Sequence, residues 1–377
     1  MKVSCLYENL ARGLGIVGRV VAARSTLPVL GNVLLATEES RLRLSATNLE
    51  LGITCWIGAK VHAEGSTTVP AKTFIDLVAT LPRERVDLEL TARTQTLQVA
   101  CAQFNNDIKC IDAQEFPILP SADEAQALEL NVRDLRAMID QVVFAAATDD
   151  ARPVLTGVEV KIEGGEVSFA AADGFRLALR TSALSTTVTE PISAIVPARG
   201  LAELGRIVGD QEHPVTLTMP SGRGQAIFRA QDVELVSQLI EGNFPDYQQL
   251  IPESHSTRTV LATDAFLNAC RAAQVFAREA AYAARLNIRP GNGSDAGSVE
   301  VSANAAETGS NESVVEATVE GDALEIAFNV RYLTDVLHVI DTPNVALETN
   351  GEASPGVIRP VGRNDFISVI MPMHIGR

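Results

Sequence analysis

The sequence predicts an α+β chain of three tandem, similar domains, each with two helices packed on antiparallel sheets. Three observations carry this. Val69-Pro70-Ala71-Lys72 returns as Val196-Pro197-Ala198-Arg199, 127 positions later. The surroundings of that box return too, in the same order and at nearly the same interval: Pro28 to Val33 as Pro153 to Val158, Asn48 as Asp173, and Phe116-Pro117 as Phe244-Pro245. Within a copy, stretches of helical apolar period alternate with short apolar or alternating runs, the pattern of helices beside antiparallel strands. Each copy holds two half-units, a helix plus several strands, so the chain carries six. Such an array is expected to curve, and a second chain would close it into a ring.

The elements of the first copy read in order. Leu10, Leu14, Val17, Val20 and Val21 form an amphipathic helix stripe. Pro28 to Leu35 reads as a strand, and Arg41 to Ala46 alternates as its hairpin partner. Val69-Pro70-Ala71-Lys72 opens a helix over Thr73 to Leu81, with proline expected at the first helical position, where its missing N–H has no partner to lose. Val86 to Leu90 and Thr96 to Ala102 read as strands before the copy closes near Phe116-Pro117.

In the second copy Leu135, Met138, Ile139, Val142 and Val143 make the helix stripe. In the third, Phe266, Cys270 and Ala273 mark the first helix, Arg285 to Ile288 a strand, and Phe328-Asn329-Val330-Arg331 stands for the Val-Pro-Ala-basic box. Its extra length fits a hairpin loop over Pro290 to Gly297. Polar segments at 121–124 and 253–256 read as linkers, which places the domains at 1–121, 128–252 and 258–377.

The chain has 377 residues, 46% hydrophobic and 21% charged, enough for several real cores. No apolar run is long enough to span a bilayer, and Met1-Lys2-Val3-Ser4-Cys5 lacks a signal-peptide pattern, so a cytoplasmic location is expected. Cysteines 5, 55, 101, 110 and 270 are scattered without a Cys-x-x-Cys, as free thiols in a reducing compartment would be. A net charge of −16 argues, taken alone, against a phosphate-gripping protein, so the placement of the positive charges matters more than their total.

Catalytic motifs are sparse. Gly13-Leu14-Gly15-Ile16-Val17-Gly18 matches a dinucleotide fingerprint, with Glu38 placed as its acidic ribose ligand, and makes a nucleotide-dependent oxidoreductase the rival reading. That chemistry needs a strand running straight into the first glycine, whereas Leu6 to Arg12 continues the helix stripe, and the matching segment Asp134 to Ala145 has no glycine. The alternative is a surface-facing helix weakened by glycine. There is no phosphate loop, nucleophile elbow or His-Glu-x-x-His helix, and the five histidines stand apart. Asp149-Asp150 reads as a turn, since adjacent side chains diverge. No cofactor, metal or catalytic residue is expected.

The basic residues are more ordered. Arg12 and Arg19, Arg199 and Arg206, and Arg271 and Arg278 are each seven apart, nearly two helical turns, so each pair shares a face. Arg133 and Arg136 do likewise, while Lys72 and Arg331 open the other two helices. All six predicted helices could therefore present a basic group to one surface, tracking a phosphate backbone without reading bases. Acids on the same helices (Glu8, Asp134, Glu203, Glu279) leave solvated mixed faces as the other reading. At the end of the chain, Val369-Ile370-Met371-Pro372-Met373 reads as a buried strand that Pro372 ends, or as one wall of an adaptable apolar groove, with Asp173-Gly174-Phe175-Arg176-Leu177 as another.

With these pieces placed, the whole chain resembles the bacterial β sliding clamp family, the processivity subunits of replicative DNA polymerases. The carriers are Thr26 to Asn32, Thr68 to Lys72, Asp173 to Ala178, Gly242 to Tyr247, Phe328-Asn329-Val330 and Met371-Pro372-Met373. The resemblance implies a head-to-tail homodimer ring around duplex DNA, helices lining the hole, negative outside and locally positive within. It implies a cleft for short peptides of polymerases, the clamp loader and repair proteins, walled by Leu155, Gly174, Phe175, Arg176, Leu177, Pro245, Leu250, Val369, Ile370, Met371, Pro372 and Met373, with Asn329 and Tyr332 nearby. It implies DNA contacts at Arg24, Lys72, Arg152 and the boxed Arg199, and ring closure through Ile108, Val275 and Phe276. This chain departs from the family pattern at Ala172 and Phe175, where members commonly carry Thr and often His, at Gln249, where some carry Arg, and at Pro153-Val154, where some carry tyrosines.

Overall fold

The computed structural model describes residues 1–22, 26–121, 127–209, 212–220, 222, 224–292 and 296–374. The six expected helices are α1 (Tyr7–Val17), α2 (Ala71–Thr80), α3 (Val132–Val142), α4 (Ala198–Val208), α5 (Thr263–Ala277) and α6 (Val330–His338). Each follows a strand: Lys2–Leu6, Ser66–Pro70, Leu128–Leu130, Ile192–Pro197, Thr257–Ala262 and Leu324–Asn329.

The boxed prolines sit one residue earlier than expected. Pro70 is the last residue of its strand, opposite Asn32, and α2 begins at Ala71. A proline tolerates a strand end because no further ladder bond is asked of its nitrogen. In the third copy Asn329 takes this place and caps α6, its side chain accepting the Arg331 N–H at 3.0 Å. Pro28 and Pro153 likewise correct a strand reading: Pro28–Gly31 and Pro153–Thr156 are 3-10 turns, and the strands start at Asn32 and Gly157. The proline ring presets the turn's φ, while the apolar Val29, Leu30 and Leu155 are buried by the turn as a strand would bury them. Asn32–Glu38 and Arg41–Thr47 form the expected hairpin.

The chain forms two compact units, 1–133 with 200–239, and 134–199 with 240–377. Each is built on twelve antiparallel strands. In the first, the path runs 104–109, 96–101, 85–91, 2–6, 51–63, 233–238, 225–230, 215–218, 128–130, with 32–38, 41–47 and 66–70 joined alongside 51–63. In the second, it runs 192–197, 157–163, 166–172, 176–183, 366–370, 356–360, 344–349, 257–262, 309–320, 297–305, 283–289, 324–329. Strands from different repeats therefore share one ladder: Val233 lies opposite Cys55 in the first unit, and Leu177 opposite Val369 in the second. The sequence repeat sets the domains expected at 1–121, 128–252 and 258–377; the compact units instead divide the middle repeat between them.

Helix α1 packs on its sheet through Leu10, Gly13, Leu14 and Val17. Gly13 allows a close approach: a Cβ there would lie 2.5 Å from Leu44 Cδ1, whereas one on Gly15 would meet nothing within 4 Å. Gly15→Ala is expected to raise unfolding free energy by about 0.5–1 kcal/mol through helix propensity. Gly13→Ala is expected to lower it by about 1–3 kcal/mol through overpacking. Urea titration of both variants checks the contrast.

In the second unit, Arg180, only 5% exposed in its side chain, pairs with Asp365, which also receives Arg363 at 3.0 Å. Burial alone would raise the Asp365 carboxyl; Arg363 and Arg180 together hold it below the usual range. A carboxyl depressed in the folded state stabilises above its unfolded pKa of about 4, and that stability is lost as pH falls below it. Asp365→Ala strands the Arg180 guanidinium and is expected to cost about 2–4 kcal/mol, at the low end because Asp365 is partly exposed. Arg180→Met, which removes the buried charge, should cost less. Denaturant titration at pH 7 and below pH 4 measures both.

Candidate functional site

The second unit holds the residues expected to wall the apolar cleft. Between strands Glu166–Ala172 and Arg176–Ala183, Asp173 Oδ1 accepts the N–H groups of Phe175 at 2.8 Å and Arg176 at 3.0 Å. Gly174 has φ +94°, a conformation side-chain-bearing residues rarely adopt, and its Cβ would lie 2.8 Å from Arg152 Nη2. Arg152 donates to the Asp173 carbonyl at 3.0 Å, and its own carbonyl accepts the Leu155 N–H at 2.9 Å. It thereby ties the Pro153–Thr156 turn to the Asp-Gly turn. Phe175, in the turn, stands 60% exposed, while Leu177, in the strand that follows, is buried.

Arg176 turns inward. It pairs with Asp173 at 3.0 Å and Asp335 at 2.6 Å, and stacks over the rings of Tyr332 (4.4 Å) and Phe144 (5.4 Å). Burial first, then the nearby Asp173 charge, pushes the Tyr332 hydroxyl up.

The chain end forms the adjoining wall. Strand Phe366–Ile370 sets Val369 opposite Leu177 and Ile370 opposite Arg176, and Met371 N–H extends the ladder to the Phe175 carbonyl at 2.9 Å. Pro372 ends it, as expected of a residue with no N–H. Met373 N–H then donates to the Ala327 carbonyl at 2.8 Å. Beneath, Ala170, Ala172, Leu177, Tyr247, Val357 and Val369 form a core against which Phe244 and Ile251 pack. Met371 and Leu250 stand 42% and 51% exposed, and Pro245, five residues before Leu250, is exposed as well. Among the predicted wall residues, Phe175, Gly174, Pro245, Leu250 and Met371 are exposed; Arg176, Tyr332, Pro372, Met373 and Asn329 are half-buried; Leu155, Leu177, Val369 and Ile370 are buried. Asp335 and Phe144 were not legible, because only the fold brings them to Arg176.

Lys72 and Arg199 are exposed at the second residues of α2 and α4. Arg12, Arg133, Arg136, Arg206, Arg271 and Arg331 are exposed as well, so every helix carries an exposed basic residue. Arg19 and Arg278 lie just past helix ends, on 3-10 turns Gly18–Val20 and Arg278–Ala280. Arg24 lies outside the described residues.

Ile108 is buried in Phe104–Lys109, the outermost strand of the first unit's sheet, with Phe104 exposed beside it. In the second unit Val275 is exposed on α5 and Phe276 half-buried. Residues 309–316 of strand Gly309–Glu320 pair on one side only among the described residues.

The dinucleotide reading does not survive. Gly13 and Gly15 lie inside α1, and Gly18 follows its last residue, so the glycines never form the turn that would meet a pyrophosphate. Gly13 is buried against the sheet, which also corrects the surface-facing alternative for that residue; Gly15 is exposed. Ser4, His62 and Asp87 do meet, but Ser4 Oγ donates to Asp87 at 2.5 Å and contacts His62 Nε2 at 3.0 Å. The serine proton points to the carboxylate, so the imidazole is not its base. Burial pushes the Cys5 thiol up to about 12 and Cys55 to about 11, holding both protonated. Among the described residues, no three metal-ligating side chains converge and no helix is long and apolar enough to cross a membrane.

The beta sliding clamp of Synechococcus elongatus is 34% identical to this chain over 379 residues, covering all of both. The chain belongs to the β sliding clamp family. The Bacillus subtilis member is 30% identical over 99% of each chain. Models of the N-terminal, central and C-terminal domains of the DNA polymerase III beta subunit match residues 1–120, 129–246 and 248–374. Among solved clamps, that of B. subtilis superposes with TM-score 0.94 at 27% identity, and the griselimycin-bound clamp of Pseudomonas aeruginosa with 0.92 at 29%, each covering all of both chains. The three clamp domains agree with the three copies read from the sequence.

Proposed function

We propose that two copies of this chain close head to tail into a ring that encircles duplex DNA and tethers the replicative polymerase, with domains at 1–121, 128–252 and 258–377. The observation that carries the reading is the exposed basic residue on every helix of a chain similar, end to end, to sliding clamps. Lys72, Arg199 and Arg24 supply loose phosphate contacts without base readout, so the ring slides and closure rather than affinity retains it. Arg152 gives one of its five guanidinium N–H groups to the Asp173 carbonyl beside Gly174, and its DNA contact is secondary.

The cleft takes short peptides from the polymerase, the clamp loader and repair proteins. Phe175, Leu250, Pro245, Met371 and Met373 seat apolar anchors, and Asn329, Tyr332 and Arg176 form the polar rim. The flat Phe175 ring beside Met371 favours aromatic or long aliphatic anchors. Ring closure pairs the 104–109 edge, with Ile108 behind it, against the partner's 309–316 edge and the Val275-Phe276 surface. The protein works in the cytoplasm as a tether with no chemistry of its own. Sedimentation and negative-stain electron microscopy test this: a dimer with a central hole is expected, and a compact monomer at micromolar concentration overturns it.

A further inference from the structure

Glu203 is an acid in an unexpected place. It lies on α4 between Arg199 and Arg206, both exposed. Its own side chain is only 12% exposed, while the two guanidiniums that reach it, Arg206 one turn on and Arg19 from the turn after α1, are 57% and 45% exposed. Arg206 Nη1 bonds Glu203 Oε1, and Arg19 Nη1 stands 3.7 Å from Oε2. Oε2 is itself buried without a hydrogen-bond partner. A buried carboxylate oxygen left unbonded is a cost that calls for an explanation, because a glutamine or an apolar side chain in its place would avoid it.

We propose that Glu203 attenuates the DNA-facing charge of α1 and α4: one carboxylate beneath two arginines leaves a net single positive charge where two would stand. The inference rests on the reading that these helix faces line the DNA path. A guanidinium whose inner side is held by a carboxylate still presents outward N–H groups to a phosphate, but with much of its charge already neutralised. Each contact is then cheap to break, as a ring that moves along the backbone requires. The acid also fixes the two arginines in place, so the weakening is built in at a set position. Glu203 is thus a positioning residue acting through Arg19 and Arg206, without touching DNA.

The test is duplex binding by the full-length dimer, by fluorescence anisotropy on a short duplex of arbitrary sequence, over about 50–200 mM salt. Glu203→Gln keeps the shape and removes the charge. The slope of log K against log salt is expected to steepen by about 0.9, so affinity falls roughly 3–4-fold more over that range than for the unaltered chain. Glu203→Asp should restore the original slope. Arg19→Gln combined with Glu203→Gln returns the net charge to one and should do so as well, an outcome that a purely structural strut between helices does not produce. It also serves if Glu203→Gln alone fails to fold. An unchanged slope in folded Glu203→Gln, or a double variant as steep as the single, overturns the inference. Lys72→Glu with Arg199→Glu is the separate control: if that pair leaves duplex affinity unchanged, the DNA-path reading itself fails, whatever Glu203 does.

Discussion

Deleting Met371–Arg377 is expected to weaken binding of a polymerase-derived peptide at least 100-fold while leaving the dimer intact. The main-chain bonds explain the size of the effect. Met371 N–H closes onto the Phe175 carbonyl and Met373 N–H onto the Ala327 carbonyl, so the seven residues lost include the last rung beside Phe175 and the wall that follows it. Interface anchors typically carry about 2 kcal/mol or more each, and two methionines and the backbone course of Pro372 go together. The core below (Leu177, Val369, Tyr247) keeps its own contacts, so unfolding stability should change little. Isothermal titration of truncated and full chains with one peptide measures the loss; retained affinity places the peptide site elsewhere.

Val275→Asp is expected to convert the dimer to a folded monomer, raising the dimer dissociation constant by about 100-fold or more, the effect of burying an unpaired charge at a central contact. Val275 is exposed on α5, where a carboxylate is well solvated in the free chain, so the monomer keeps its fold. Ile108→Asp would confuse the result, since Ile108 is already buried within its own unit. Sedimentation equilibrium across concentrations reads the change; an unaltered dimer removes Val275 from the interface.

Much of this was legible in the amino-acid order because it was written three times. The Val-Pro-Ala-basic box, the Asn48 and Asp173 turns and the Phe-Pro pairs located equivalent elements, and the six helices stand where the stripes and the boxes put them, the first ending at Val17, short of the stripe's Val20 and Val21. Asn48 shows why the repeat is trustworthy: its Oδ1 accepts the N–H groups of Glu50 and Leu51 as Asp173 accepts those of Phe175 and Arg176. Boundaries failed where proline serves two structures, at Pro28 and Pro153, because a buried 3-10 turn and a buried strand show the same apolar run. The sharing of ladders between repeats was not legible, since strand pairing at long range leaves no local period. For the same reason the tie from Arg152 to the Asp173-Gly174 turn was not legible: nothing near Arg152 in the sequence announces that its guanidinium donates to the Asp173 carbonyl. The Gly13 fingerprint misled in the opposite sense, a local match whose glycines serve helix–sheet packing.

The central claim is that DNA is threaded, and topology tests it directly. The chain, loaded on a nicked circular duplex and isolated by gel filtration in high salt, should remain bound with a lifetime of minutes or longer, then escape once the circle is cut by a restriction enzyme. Equal retention on circular and linear DNA, or loss from both at the same rate, would contradict a closed ring.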